Sequence, residues 1–233
     1  MARVLISGAT GFLGQSLSES LLSRAHTVRA LVRPGSEKRA AHGCEIVTGD
    51  PLDSASYPPA LRDIDTLVSL VGVSHPSPAK AAQFLTVDLR AAQAAVQAAA
   101  DTGVRHFVYV SVAHPAPVMK EYIAVRSAAE ELIRTAGLNA TILRPWYVLG
   151  PGRRWPLLLM PLYWTMELLP STRDSARRLG LVTMSQMIRA LTGAVEHPSA
   201  GIRILEVPQI RSRTDDRFLS SVGKSPINVD PQP

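Results

Sequence analysis

Apolar residues recur along the chain at alternating strand and helix spacings. Residues 3–7 form a short aliphatic run, and leucines at helical spacing follow within residues 15–24. The same alternation predicts further strands at 27–32, 43–48, 65–71, 106–112 and 140–143, and helices at about 79–101 and 122–135. Because strands and helices alternate without tight hairpins, the pattern predicts an α/β fold with a doubly wound, Rossmann-like parallel sheet.

The pattern changes after residue 145. Prolines and arginines become frequent, and regular spacing returns only for a helix at 185–196 and a strand at 202–207. We therefore predict a nucleotide-binding domain over 1–145, a small C-terminal lobe over 146–211 that completes the fold and the substrate pocket, and a flexible polar tail over 212–233.

Three glycines lie between the first predicted strand and the first predicted helix. In a strand–turn–helix unit, the first glycine permits the tight turn, the second lets the backbone approach a pyrophosphate, and the third lets helix and strand pack closely. The helix N-terminus then offers unpaired N–H groups to the phosphates. We predict a dinucleotide site formed by Gly8, Thr10, Gly11, Phe12, Leu13 and Gly14.

The end of the second predicted strand indicates which dinucleotide binds. NAD sites usually carry an acidic residue there, which binds the ribose 2′-hydroxyl. This chain has Arg33 instead, and a guanidinium at that place would pair with a 2′-phosphate. We predict NADP as the cofactor, with NAD as the alternative, because Arg33 could also be a solvated charge and Glu37 lies close by.

Composition and charge narrow the classes of partner. The formal charge is +6 and the pI is about 9.9, but the basic residues are scattered, so we expect no nucleic-acid partner. The single cysteine, Cys44, excludes an internal disulfide and is expected to be a packed thiol. We predict no signal peptide, no spanning helix, no metal site, and a cytoplasmic location.

Five segments resemble the short-chain dehydrogenase/reductase superfamily, in its atypical, extended-like branch. They run in the family's order and are Gly8-Ala-Thr-Gly-Phe-Leu-Gly14, Gly49-Asp50, His106-Phe-Val-Tyr-Val-Ser111, Tyr122-Ile-Ala-Val-Arg126 and Thr141-Ile-Leu-Arg-Pro145. The resemblance implies that Asp50 lies near the adenine and that Val71, Gly72 and Pro145 line the cofactor site. It also implies a dimer face on the helices at 79–101 and 122–135, so a monomer and a homodimer both stay open.

The same resemblance implies a catalytic set with two departures. The family uses a tyrosine as acid and base, with a lysine four residues later that holds the nicotinamide ribose. Tyr122 fits, whereas Arg126 occupies the lysine position. The family serine falls on Val112, so Ser111 takes its role only if the strand end bulges. His114 is an alternative proton carrier.

A second unusual feature is the apolar stretch at 155–170, which is flanked by arginines. It follows the last predicted strand of the nucleotide-binding domain, where ligands bind in such sheets. It could therefore cap the nicotinamide and select an apolar substrate, or it could simply cover the sheet edge. A third alternative is contact with a membrane surface, which its three prolines disfavour.

These observations favour an NADP(H)-dependent oxidoreductase that acts on a carbonyl or hydroxyl group of a small apolar substrate. The substituted catalytic positions keep a second hypothesis open, a nucleotide-binding sensor or regulatory protein without turnover. A third is an epimerase or isomerase that retains its cofactor.

Overall fold

Seven parallel strands form the central sheet of the computed structural model, which describes residues 1–116, 118–150 and 179–212. A separate pair of parallel strands lies beside this sheet. In chain order, the strands are β1 (Arg3–Ser7), β2 (Thr27–Val32), β3 (Glu45–Thr48), β4 (Thr66–Ser69), β5 (His106–Val110), β6 (Ala140–Arg144), β7 (Tyr147–Leu149), β8 (Leu181–Thr183) and β9 (Ile202–Glu206). Strands β7 and β8 form the separate pair.

Helices connect the strands. They are α1 (Phe12–Ser23), α2 (Pro58–Leu61), α3 (Ala81–Gln83), α4 (Arg90–Thr102), α5 (Lys120–Thr135), α6 (Met184–Glu196) and α7 (Val207–Arg211). A π-helical segment, Phe84–Leu89, joins α3 to α4.

The strand order confirms the predicted doubly wound sheet. It runs β3-β2-β1-β4-β5-β6-β9, so the chain moves outward to one edge, returns to the centre and continues to the other edge. At the centre, Val4 of β1 pairs with Val28 of β2 on one side and Thr66 of β4 on the other. In such a sheet, the place where the order reverses is where ligands bind, at the carboxyl ends of the strands.

Alternate residues of the strands build two apolar cores, one on each face of the sheet. On one face, Val4, Ile6, Val68 and Val108 pack against α1 and α6; we call this the α1/α6 face. On the other face, the strands pack against α4 and α5, where the buried alanines of α4 permit a close approach. The sheet is therefore packed on both sides, and the carboxyl ends of its strands are held in fixed positions.

Strands β4 and β5 end two residues earlier than the sequence predicts, for a reason connected with the site. Strand β4 ends at Ser69 and β5 ends at Val110, because the residues that follow leave the sheet and line a cleft. Strand β3 begins at Glu45, so Cys44 precedes it. Cys44 packs partly buried against the α1/α6 face, and burial raises the pKa of its thiol.

Part of the predicted C-terminal lobe belongs to the main sheet. Strand β9 pairs with β6, and α6 packs against α1. The division at residues 145 and 211 stays a prediction. The apolar stretch at 155–170 and the tail from residue 213 lie outside the described residues.

We expect the protein to be less stable in acid because of His106. This residue begins β5, at the end of the strands opposite the cleft. His106 is 1% exposed, and burial followed by the charge of Arg203 lowers its pKa to about 4. Between pH 6.5 and pH 4, His106 is therefore protonated in the unfolded chain but not in the native protein. The native protein has its full free energy of unfolding above pH 6.5 and loses the contribution of His106 as the pH falls from 6.5 to 4. From pH 7 to pH 5 we expect a loss of about 2 kcal/mol from this residue.

Urea unfolding at both pH values measures this loss. His106→Gln should flatten the pH dependence, whereas the exposed His42→Gln should leave it unchanged. An equal slope in His106→Gln and the unmutated protein would contradict the assignment.

Candidate cofactor and catalytic site

A cleft of about 530 Å³ opens at the carboxyl ends of the central strands. It brings together most of the residues that the sequence predicts for the site. Those that line it are Gly8, Thr10, Gly11, Phe12, Leu13, Arg33, Val71, Gly72, Ser111, Tyr122, Arg126 and Pro145. Among the predicted residues, Gly14 and Asp50 are not on its surface.

The glycine turn has the close approaches that a dinucleotide site requires. Gly8 has φ +85°, and a Cβ there would lie 2.9 Å from the carbonyl carbon of Leu70. A Cβ at Gly14 would overlap the backbone of Gly8 and Ala9, so α1 can lie this close to β1 only with glycine there. Within the part of the chain that the structure describes, no side-chain cap is present at the N-terminus of α1, and a helix N-terminus of this kind suits phosphate. These residues fit a dinucleotide.

Two arginines line the cleft beyond the end of β2. Arg33 is exposed there, and Arg39 donates from Nη2 to the carbonyl oxygen of Thr10 at 3.1 Å. The nearby Glu37 is turned to its own loop, where its Oε1 accepts from the Gly35 N–H at 3.1 Å. Among the described residues, none that lines the cleft is acidic. The electrostatic setting at this end of the cleft therefore favours an anionic ligand.

Asp50 shapes the loop after β3. Its Oδ1 accepts from the Leu52 N–H at 3.0 Å, and its backbone N–H donates to Ser56 Oγ at 3.0 Å. Pro51 and Leu52 line the cleft, while the Asp50 side chain is exposed beside them.

Tyr122 and Arg126 lie one turn apart on α5 and both line the cleft. The Tyr122 ring is half-buried against Phe84, with 4.9 Å between ring centroids. The guanidinium carbon of Arg126 lies 5.1 Å from the centroid of the Tyr122 ring. A cation thus lies close to the tyrosine that the family resemblance assigns to proton transfer.

The Arg126 guanidinium is nevertheless held by protein groups. Nη2 donates to Asp88 Oδ1 at 2.5 Å, and Nη1 donates to the Tyr109 hydroxyl and the Val110 carbonyl, each at 3.0 Å. Burial would lower the pKa of Arg126, but Tyr109, Tyr122 and Asp88 outweigh burial and raise it, so Arg126 stays charged. Its side chain is therefore anchored in the wall of the cleft.

Asp88, which the sequence analysis missed, links this anchor to the loop after β4. Its second oxygen, Oδ2, accepts from the Val73 N–H at 3.1 Å. Gly72, the preceding residue, leaves no room for a Cβ, because Arg126 and Asp88 fill that space. Asp88 therefore holds both the arginine and a cleft-lining loop in place.

Ser111 lies in the cleft wall directly after β5, and its hydroxyl is engaged. Ser111 Oγ donates to Glu130 Oε1 at 2.6 Å, in a contact buried between β5 and α5. Glu130 also accepts two hydrogen bonds from Arg144, at 2.9 and 2.5 Å, and one from Arg134 at 3.1 Å. His114 lies beside the same carboxylate, with Nε2 3.5 Å from Oε1, and it does not line the cleft.

A signal for Asp88 and Glu130 was present in the helical periodicity. Asp88 precedes the buried Ala91 and Ala92 by one turn, and Glu130 follows Arg126 by one turn. A charge on the buried face of a helix needs a partner, so both positions were recognisable as sites of buried pairing.

None of the described helices is long and apolar enough to cross a membrane. The described residues also contain no cluster of three or more histidine, cysteine or acidic side chains arranged to hold a metal.

Comparison with known proteins agrees with this geometry. A family described as NAD(P)H-binding matches residues 8–153, which is more than half of the chain. The chain is 28% identical over 210 residues to a ceramide reductase from Caulobacter vibrioides, covering 89% of this chain and 65% of that protein. It is 30% identical over 150 residues to a photosystem II assembly factor from Cyanophora paradoxa, covering 60% of this chain and 44% of that protein. The chain thus spans less than two thirds of these curated relatives.

Among solved structures, the chain is similar to the Bordetella bronchiseptica enzyme WbmH in complex with NAD⁺. The TM-score is 0.66 at 21% sequence identity, with 88% of this chain and 75% of that chain covered. This likeness concerns the fold. Together with the family match and the glycine turn, it leads to one conclusion: the chain belongs to the NAD(P)H-binding family of Rossmann-fold proteins, as an atypical short-chain dehydrogenase/reductase.

Proposed function

We propose that the protein is an NADP(H)-dependent oxidoreductase that acts on a carbonyl or hydroxyl group of a small apolar substrate. The observation that carries this proposal is that Tyr122, the Arg126 cation and the glycine turn line one cleft. Apolar residues line the same cleft and support an apolar substrate, among them Val110, Val112 and Trp146.

The chain's own groups would handle position and protons. A nicotinamide bound in the cleft would supply or accept the hydride. Tyr122 gives its phenolic proton to the carbonyl oxygen in reduction and takes the proton back from the alcohol in oxidation. Arg126, fixed by Asp88, holds its positive charge 5.1 Å from the centroid of the Tyr122 ring. The first turn of α1 would hold the pyrophosphate.

Turnover tests this proposal. Wild-type protein is mixed with NADPH and a panel of aromatic ketones and quinones, and the loss of NADPH absorbance is followed. Tyr122→Phe should lower the rate at least about 100-fold while the NADPH dissociation constant stays unchanged, because the variant loses only the transferable proton. Equal turnover by wild type and Tyr122→Phe would contradict the assignment of Tyr122.

The cofactor preference has its own test. We expect NADPH to bind more tightly than NADH, because three arginines and no described acidic residue line the cleft. Arg33→Ala should weaken NADPH binding about tenfold, through loss of a charge-assisted contact, and leave NADH binding unchanged. Arg105→Ala, an exposed change of equal charge near the opposite edge of the sheet, should alter neither dissociation constant. Tighter binding of NADH than of NADPH would contradict the preference.

A second candidate function is a nucleotide-binding sensor without turnover. The hydrogen bonds of Arg126 and Ser111 favour it, because protein partners already take the Ser111 hydrogen and three of the five N–H donors of Arg126. A sensor would be stabilised by NADPH in thermal unfolding yet show no turnover across the panel. Turnover that depends on Tyr122 would exclude it.

A further inference from the structure

The Ser111 hydroxyl points its only hydrogen at a carboxylate. A serine hydroxyl has one donor and two acceptor positions. Its Oγ lies 2.6 Å from Glu130 Oε1, and the two residues are 4% and 1% exposed. While this bond persists, Ser111 has no hydrogen to donate into the cleft, and it offers only lone pairs.

The surroundings of Glu130 keep the direction of the Ser111–Glu130 hydrogen bond fixed. Burial would raise the pKa of Glu130, but hydrogen bonds from Arg144 and Ser111 outweigh burial and hold the pKa below its usual value. Arg134 adds a further bond to Oε2. An ionised carboxylate can only accept hydrogen bonds, so Glu130 cannot turn the Ser111 hydrogen towards the cleft.

This arrangement excludes one kind of substrate contact and favours another. A ketone oxygen is an acceptor, and an acceptor gains nothing from a second acceptor. Tyr122 is then the hydroxyl donor for the reacting oxygen, while Ser111, in the same cleft, suits a substrate group that carries its own hydrogen.

We propose that Ser111 recognises an O–H or N–H group of the substrate, and that Glu130 is the positioning residue that makes Ser111 an acceptor. The substrate class is then a ketone that carries a hydroxyl or acylamino group, or the corresponding diol or amino alcohol, and α-hydroxy ketones are its simplest members. This inference rests on the proposed function for the identity of the reacting group, and on the Ser111–Glu130 contact for the neighbouring donor.

Two ketones that differ by one hydrogen-bond donor provide the test. Binding of 2-hydroxyacetophenone and 2-methoxyacetophenone is measured by calorimetry with NADP⁺ present and absent, so that no turnover is needed. Wild-type protein should bind the hydroxy ketone about tenfold more tightly, the usual gain from one hydrogen bond. Ser111→Ala should abolish the difference, whereas Ser199→Ala, near the opposite edge of the sheet, should preserve it.

Equal affinity of wild-type protein for the two ketones, or no binding of either, would overturn the inference. Glu130→Gln provides a readout that a purely structural role would not move. Its amide can donate to Ser111, so the preference should shift towards the methoxy ketone. If that variant does not fold, the Ser111→Ala comparison decides alone.

Turnover separates this inference from the proposed function. Preferential binding of the hydroxy ketone without NADPH oxidation would refute the oxidoreductase and leave the recognition by Ser111 standing. Oxidation of NADPH with equal use of both ketones would refute the recognition and leave the oxidoreductase standing.

Discussion

Replacing Asp88 with alanine is expected to lower the free energy of unfolding by about 3–5 kcal/mol, because the change leaves a buried guanidinium without its carboxylate. Arg126 is 6% exposed and Asp88 is 1% exposed, so water does not take over the lost interaction. The loop after β4 also loses the acceptor of its Val73 N–H. Urea unfolding measures the loss, and NADPH binding should weaken with it.

Two further variants show whether the pair itself is responsible. Asp101→Ala, an exposed change at the far end of α4 where Asp101 contacts only Gln97 among the described partners, should cost less than about 0.5 kcal/mol. The double variant Asp88→Leu with Arg126→Met should recover part of the stability, since two apolar side chains leave no charge buried. Asp88→Ala protein as stable as wild type would show that the two groups are not coupled.

Replacing Gly14 with alanine is the second change with a large expected effect. The added Cβ would overlap the Gly8 carbonyl oxygen and the Ala9 backbone, so α1 has to move away from β1. We expect a loss of about 3 kcal/mol, the upper range for overpacking, and a melting temperature about 10 °C lower. Because the same turn would hold the pyrophosphate, the NADPH dissociation constant should rise at least about tenfold.

The matched control is Gly193→Ala in the middle of α6. Nothing lies within 4 Å of a Cβ built there, and the backbone is helical. This substitution should stabilise the protein by about 0.5–1 kcal/mol, because alanine loses less conformational freedom in a helix. If Gly14→Ala melted at the wild-type temperature and bound NADPH normally, close packing at the turn would not be a requirement of the site.

Periodicity was sufficient to predict the fold. The order of strands and helices follows from which positions are buried, and the glycine turn predicted a nucleotide site at the end of β1, where the structure has a cleft. Strand ends were predicted less well, because Leu70 and Val71 are as apolar as the strand before them yet line the cleft. The pattern of apolar residues along the sequence indicates which positions are buried. It does not show where a strand ends and the apolar wall of a cleft begins.

The polar part of the site was harder to predict because it depends on pairing across elements. From the sequence alone, Arg126 is interpreted as a ribose-binding cation. The structure shows that it is paired with Asp88, which is 38 residues away in the sequence. Ser111 reads as a free hydroxyl until Glu130 is seen to accept its hydrogen. No single element contains both members of either pair, so spacing could mark Asp88 and Glu130 as buried charges but could not reveal their partners.

The α1/α6 face also has a consequence for the order in which the protein is made. The strands that line the cleft lie within the first 149 residues, but α6, which packs on that face together with α1, is not complete until residue 196. A growing chain on the ribosome therefore carries its nucleotide-binding turn before it can bury Ile6, Val68 and Val108. During that interval the unfinished sheet presents an apolar surface to chaperones and to other nascent chains.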